Sequence, residues 1–66
     1  MRKIEVGQRY KKTSPPSTVW EVLEPVLDPS DIRHFRIRHL DDATTIKLIS
    51  EPILANERLY RLINER

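Results

Sequence analysis

The stretch "NERLYRLINER", residues 56–66, decides between two folds for this chain. Read as a helix, it would begin with Asn56 as its N-cap and would pair Glu57 with Arg61 at the i,i+4 spacing. Its apolar face would then consist of Ala55, Leu59, Leu62 and Ile63. Read as a turn and a strand, residues 59–63 would instead form the last strand of a sheet. The first reading gives an α+β protein and the second an all-β protein.

The segment before this stretch favours the strand. Ser50-Glu51-Pro52 is typical of the start of a turn with 3₁₀ character, which would carry Ile53 and Leu54. A sheet made only of the four strands predicted upstream would have two unpaired edges, and a fifth strand that closes a barrel removes most of that exposure. We therefore predict a closing strand at residues 59–63. The alternative is a four-stranded meander with a C-terminal helix.

Three breaks separate the upstream strands. The sequences "SPPS" at residues 14–17 and "DPSD" at residues 28–31 are typical of loops, and the adjacent Asp41 and Asp42 suit a tight hairpin. β-branched and aromatic residues dominate the segments between these breaks, which favours strands over helices. The predicted strands are residues 7–13, 18–26, 32–40 and 43–50. Their short connections indicate an antiparallel meander.

Four features of the layout carry a family resemblance. They are a long first loop ("KKTSPPST"), a second strand "VWEV", an acidic turn ("LDDA") and a turn before the last strand ("SEPILANERLY"). From Ile4 to Ile63 the chain resembles the SH3-like barrel of Tudor-like and KOW-like modules. The resemblance implies a small five-stranded antiparallel barrel with a short 3₁₀ turn before the last strand. It implies function only by analogy, because the acidic and aromatic loops of peptide-binding SH3 domains and a glycine-rich KOW stretch are missing.

Length and composition indicate one small soluble domain spanning residues 1–66. A chain of 66 residues, 38% hydrophobic and 33% charged, can bury one core and has no apolar run long enough to span a membrane. Cysteine is absent, so neither disulfides nor thiolate-bound zinc can stabilise the fold. No apolar segment follows the basic Met1-Arg2-Lys3, so we expect no export signal and a cytoplasmic location.

The basic row "IRHFRIRHL", residues 32–40, is the strongest candidate site. Because side chains alternate along a strand, Phe35 and Ile37 are predicted to enter the core, and His34, Arg36 and Arg38 to share the outer face. A nucleic-acid contact surface would use Arg33, His34, Arg36, Arg38 and Lys47, helped by Arg9, Lys11 and Lys12. In the competing interpretation the arginines pair with Glu21 or Glu24 on the neighbouring strand. We prefer this pairing, because a net charge of +2 is small for a nucleic-acid binder.

No residue pattern indicates catalysis or a bound cofactor. His34 and His39 are five apart, so on a strand they project from opposite faces and cannot hold a metal together. A turn explains the adjacent Asp41 and Asp42, the serines have no identifiable base beside them, and a single glycine excludes a glycine-rich phosphate loop. We expect no enzyme activity, cofactor, metal or small-molecule substrate.

The aromatic residues are predicted to fill the core rather than to bind a ligand. Trp20 and Phe35 are the largest side chains available to such a small interior, and the Tyr10 and Tyr60 rings would pack with their hydroxyls at its rim.

A small non-enzymatic interaction module is the function class that these residues favour. Its partner would be another protein or a second copy of the chain, bound through a sheet edge or the loops around Pro15, Pro16 and Pro29. The alternative is a nucleic-acid-binding module that uses the basic row, and its affinity would fall steeply with salt.

Overall fold

The computed structural model describes residues 3–27 and 29–64, most of which lie in or between short strands. The elements are β1 (Arg9–Lys12), β2 (Val19–Val26), β3 (His34–His39), β4 (Ile46–Ser50), α1 (Glu51–Leu54) and β5 (Tyr60–Asn64). No helix in this part of the chain is long and apolar enough to cross a membrane.

The strands form a single antiparallel sheet in the order β4-β3-β2-β1-β5. The last strand lies beside the first, with Tyr10 opposite Leu62 and Lys11 opposite Arg61. The all-β prediction is therefore confirmed, and the alternative of a C-terminal helix is wrong for the described residues.

β2 is the longest strand and gives the sheet its curvature. It pairs with β1 through residues 19–21 and with β3 through residues 20–26, apart from the bulge at Leu23. The register with β3 shifts between Val22 and Glu24, and such a bulge bends a strand and increases its twist. The sheet is consequently curved, and its large apolar side chains meet on the concave face.

That side holds the hydrophobic core. Its buried members are Ile4, Tyr10, Trp20, Val22, Phe35, Ile37, Ile49, Leu54 and Tyr60. The core positions predicted for Trp20, Phe35 and Ile37 are thus confirmed. Gln8 is buried with them, and its Oε1 accepts hydrogen bonds from the Glu5 N–H (2.8 Å) and the Tyr10 hydroxyl (2.9 Å). This buried amide was not predicted from the sequence.

The predicted closed barrel is wrong. Within residues 3–27 and 29–64, β4 pairs only with β3 and β5 only with β1, so β4 and β5 remain two edges of an open sheet. The gap between them, here called the seam, is bridged by a side-chain hydrogen bond in which Lys47 Nζ donates to the Tyr60 hydroxyl oxygen at 3.0 Å. The connecting segment, which includes α1, brings the two strands close enough for this contact but not for a backbone ladder.

Two local predictions also need correction. The turn after β4 is α-helical rather than 3₁₀, because the Ala55 N–H donates to the Glu51 carbonyl oxygen at 2.9 Å, and a proline in the first turn is compatible with this geometry. The hairpin between β3 and β4 is longer than predicted, and β4 begins at Ile46 instead of Ala43. Asp42 accepts bonds from the hydroxyls of Thr44 and Thr45, which holds both threonines in the loop.

Candidate functional site

The outer face of the sheet carries the basic row, and carboxylates lie directly across from its arginines. In the register of β2 and β3, Arg38 is opposite Glu21 and Arg36 is opposite Glu24. Arg38 Nη2 donates to Glu21 Oε1 at 2.9 Å, and Arg36 Nη1 donates to Glu24 Oε2. These are cross-strand ion pairs of the kind that the competing interpretation predicts.

Two further arginines, Arg9 on the outer face and Arg33 beside the Phe35 ring, are also close to carboxylates. Arg9 Nε lies 4.0 Å from Glu21 Oε2, so Glu21 accepts two arginines, and Arg33 Nη1 lies 3.8 Å from Glu51 Oε2. Exposed pairs of this type contribute about 0 to 1 kcal/mol to stability, but they cancel much of the local field. The geometry therefore leaves little uncompensated positive charge on the basic row.

The two histidines lie apart, as predicted. His34 Nδ1 is 2.9 Å from the Ile32 carbonyl oxygen, which makes Nδ1 the protonated nitrogen. His39 contacts Trp20 edge-on at a centroid distance of 5.0 Å and accepts the Asp41 N–H at Nδ1. In the described part of the chain no three side chains of the kinds that bind metals cluster at one place.

Lys47 does not belong to the outer face. It is opposite the buried Ile37 in the register, so its side chain turns to the core side, whereas Leu48 is opposite Arg36. Lys47 Nζ lies 4.3 Å from the centroid of the Trp20 ring and bonds to Tyr60 at the seam. The predicted stripe of Lys47 beside Arg36 and Arg38 is consequently not formed, although a contact role for any of these residues stays a prediction.

Ile46 and Leu48 take the outward positions of β4 instead. They are opposite Arg38 and Arg36 in the register, and 48% and 51% of their surfaces are exposed. Both were predicted only as apolar strand residues. The alternation of side chains puts Ile46 and Leu48 on the same face of the strand. Which face of the sheet that is could not be assigned without the register between β4 and β3.

The same residues point their backbone groups off the sheet. The His39 N–H donates to the Thr45 carbonyl oxygen and the Glu51 N–H to that of Arg33, so the odd-numbered residues of this segment bond to β3. In an antiparallel ladder the intervening residues point the other way. The N–H and C=O groups of Ile46 and Leu48 and the N–H of Ser50 therefore lie along the outer edge of the sheet, whereas the Ser50 carbonyl caps α1.

No protein-family model, curated protein or solved structure matches this chain. Its function is therefore inferred from the geometry and charges of the sheet.

Proposed function

We propose that the protein is a small non-enzymatic interaction module that associates with a second copy of itself through β4. The observation that supports this is the edge formed by residues 46, 48 and 50, where outward backbone groups coincide with the half-exposed Ile46 and Leu48 side chains. An unpaired edge of this kind is a template for another strand. A domain this small also gains stability by burying more apolar surface.

The opposite edge is less suited to pairing. β5 places Arg61 on its exposed side, and its register with β1 shifts between Arg9 and Tyr10. Charged side chains and bulges are common means of blocking an edge. β4 contains one charge, Lys47, and its amine is drawn away from the edge by Trp20 and Tyr60.

A second copy is the partner that fits β4 without a charge conflict. An antiparallel pair with a two-fold axis at Leu48 puts Leu48 opposite Leu48 and Ile46 opposite Ser50 of the second copy. Lys47 then faces Ile49 of the second copy, so like charges do not meet directly. Such a contact is small, and we expect a dissociation constant between about 10⁻⁵ and 10⁻³ M.

We also propose that the open sheet is a variant of the SH3-like layout. The strand order β4-β3-β2-β1-β5, the bulge in β2 and the single helical turn before β5 support it. The layout supports no particular activity.

Sedimentation equilibrium over a wide concentration range tests the self-association. The wild-type chain is expected to shift from monomer to dimer as its concentration rises. Leu48→Lys should remain monomeric, because the two-fold axis brings the two introduced lysines together. Ile63→Lys is the matched control, since Ile63 is also 51% exposed and lies on the other edge strand. It should dimerise like the wild type.

Charge complementation makes the test specific for the two-fold axis. An equimolar mixture of Leu48→Lys and Leu48→Glu should form heterodimers, because residue 48 meets residue 48 of the second copy. A wild-type chain that stays monomeric at millimolar concentration would refute the proposal. Equal loss of association in Leu48→Lys and Ile63→Lys would place the contact elsewhere.

A further inference from the structure

A second feature lies at the far edge of the sheet from β4. A groove of about 470 Å³ opens between β1, β5 and the loop that follows β1. Its lining consists of Lys11, Lys12, Thr13, Ser17, Arg61 and Ile63. Three of these six residues are cations, and none of them is an acid.

The register brings two of the cations face to face. Lys11 is opposite Arg61 on β5 and opposite Val19 on β2. Two residues away on the same face of β1, Arg9 is opposite Glu21, which neutralises it. Like charges directly opposite each other destabilise a sheet, so this position carries an electrostatic cost that the cross-strand pair of Arg38 with Glu21 avoids.

In the described part of the chain, the three cations of the groove have no carboxylate partner of the kind found for Arg9 and for the arginines of the basic row. Arg9, Arg33, Arg36 and Arg38 each have a carboxylate within 4.0 Å. For Lys11, Lys12 and Arg61, residues 3–27 and 29–64 provide no such carboxylate. Within the described residues, three cations that lack a carboxylate within 4.0 Å therefore line one groove.

The wall of the groove is fixed in place. The Thr13 hydroxyl donates to the Arg58 carbonyl oxygen at 2.5 Å, and the Thr13 N–H donates to that of Leu59 at 3.0 Å. These bonds tie the loop after β1 to the turn before β5. A site held in this way loses little conformational freedom when a ligand binds.

We propose that the groove binds the phosphates of a single-stranded nucleic acid. Lysine, arginine and hydroxyl side chains are the usual contacts to phosphodiester oxygens, and the groove supplies all three kinds. None of the six lining residues is aromatic, so no base stacks in the groove. The protein therefore recognises the sugar-phosphate backbone and not the base sequence. A bound phosphate between Lys11 and Arg61 relieves their mutual repulsion.

Fluorescence anisotropy with a labelled oligodeoxythymidine tests this site. At low salt we expect a dissociation constant of about 10⁻⁵ M, and the logarithm of the affinity should fall with the logarithm of the salt concentration with a slope of about −2, because each of three phosphates contributes about −0.7. Lys11→Gln/Arg61→Gln should weaken binding at least about tenfold and reduce this slope to about −0.7. The double variant should remain folded, because it removes a repulsive pair.

Arg36→Gln/Arg38→Gln is the matched control, because it removes the same charge from the paired row. Its affinity should stay within about twofold of wild type. Equal weakening in both double variants would mean that binding follows net charge alone and would overturn the proposal, as would failure of the wild type to bind. Equal competition by a polyglutamate of the same length would refute phosphate recognition. Since the groove and β4 occupy opposite edges, these results do not depend on self-association.

Discussion

The contact across the seam should be measurable as a loss of stability in Lys47→Met. Methionine keeps the length and packing of the lysine stem but removes the charge over Trp20 and the hydrogen bond to Tyr60. Cation–π contacts range from about 0.5 kcal/mol when exposed to about 2 when desolvated, and a hydrogen bond contributes about 1 net. Trp20 is 6% exposed and Lys47 is partly buried, so we expect a total of about 2 kcal/mol.

Thermal and urea denaturation of the monomer at low concentration provide the assay. About 2 kcal/mol corresponds to a fall in Tm of roughly 10 °C for a domain of this size. Lys11→Met is the control, since Lys11 lies on an exposed face without a carboxylate partner in the described residues, and its free energy of unfolding should change by less than about 0.5 kcal/mol. Combining Lys47→Met with Tyr60→Phe in a double-mutant cycle should give a coupling energy of about 1 kcal/mol. A Lys47→Met protein as stable as the wild type, or a coupling of zero, would refute the bridge across the seam.

Three further predictions concern the core and the loop before β4. Phe35→Ala should lose about 3 to 5 kcal/mol and be largely unfolded, since Phe35 is 2% exposed; well-dispersed amide resonances in this variant would contradict the core assignment. Gln8→Leu should lose about 1 to 3 kcal/mol in urea denaturation, because it removes the oxygen that accepts from both the Glu5 N–H and the Tyr10 hydroxyl, and adding Tyr10→Phe should recover part of that loss. Hydrogen bonds, first from the side chain of Thr44, lower the pKa of Asp42 below 3.8, so the charged form stabilises the folded state above about pH 4 and this stability is lost as the pH falls through the folded-state pKa. Wild type and Asp42→Ala should therefore differ in free energy of unfolding at pH 6, and the difference should shrink as the pH falls through the folded-state pKa of Asp42, whereas a pH-independent difference would count against this role for the carboxylate.

The sequence alone was sufficient for features that depend only on the alternation of side chains along a strand. Phe35 and Ile37 had to enter the core because they share one face of a strand with arginines on the other. The ion pairs of Arg36 and Arg38 with the glutamates of β2 were predictable for the same reason, once β2 and β3 were neighbours. The last strand was predicted from the unpaired edges that four strands leave, but it pairs only with β1 among the described residues, so two edges remain.

Features that depend on register or long-range pairing could not be predicted. A shift of one residue turns every side chain of a strand to the other face, and the face of Lys47 depends on such a register. The predicted strand included the β-branched Thr44 and Thr45. Both bond to Asp42 and stay in the loop, so β4 begins at Ile46. The groove requires Arg61 to lie beside Lys11, residues that are far apart in the sequence and meet only when β5 pairs with β1.

Amide hydrogen exchange measured over a range of protein concentrations tests self-association through β4 most directly. The amides of Lys47 and Ile49 bond to β3, so they should be protected at every concentration. Those of Ile46, Leu48 and Ser50 point off the sheet and should exchange quickly in the monomer. We predict that their exchange slows as the dimer forms, in step with the sedimentation data. Rapid exchange of these three amides in a sample that sedimentation shows to be dimeric would contradict the proposal.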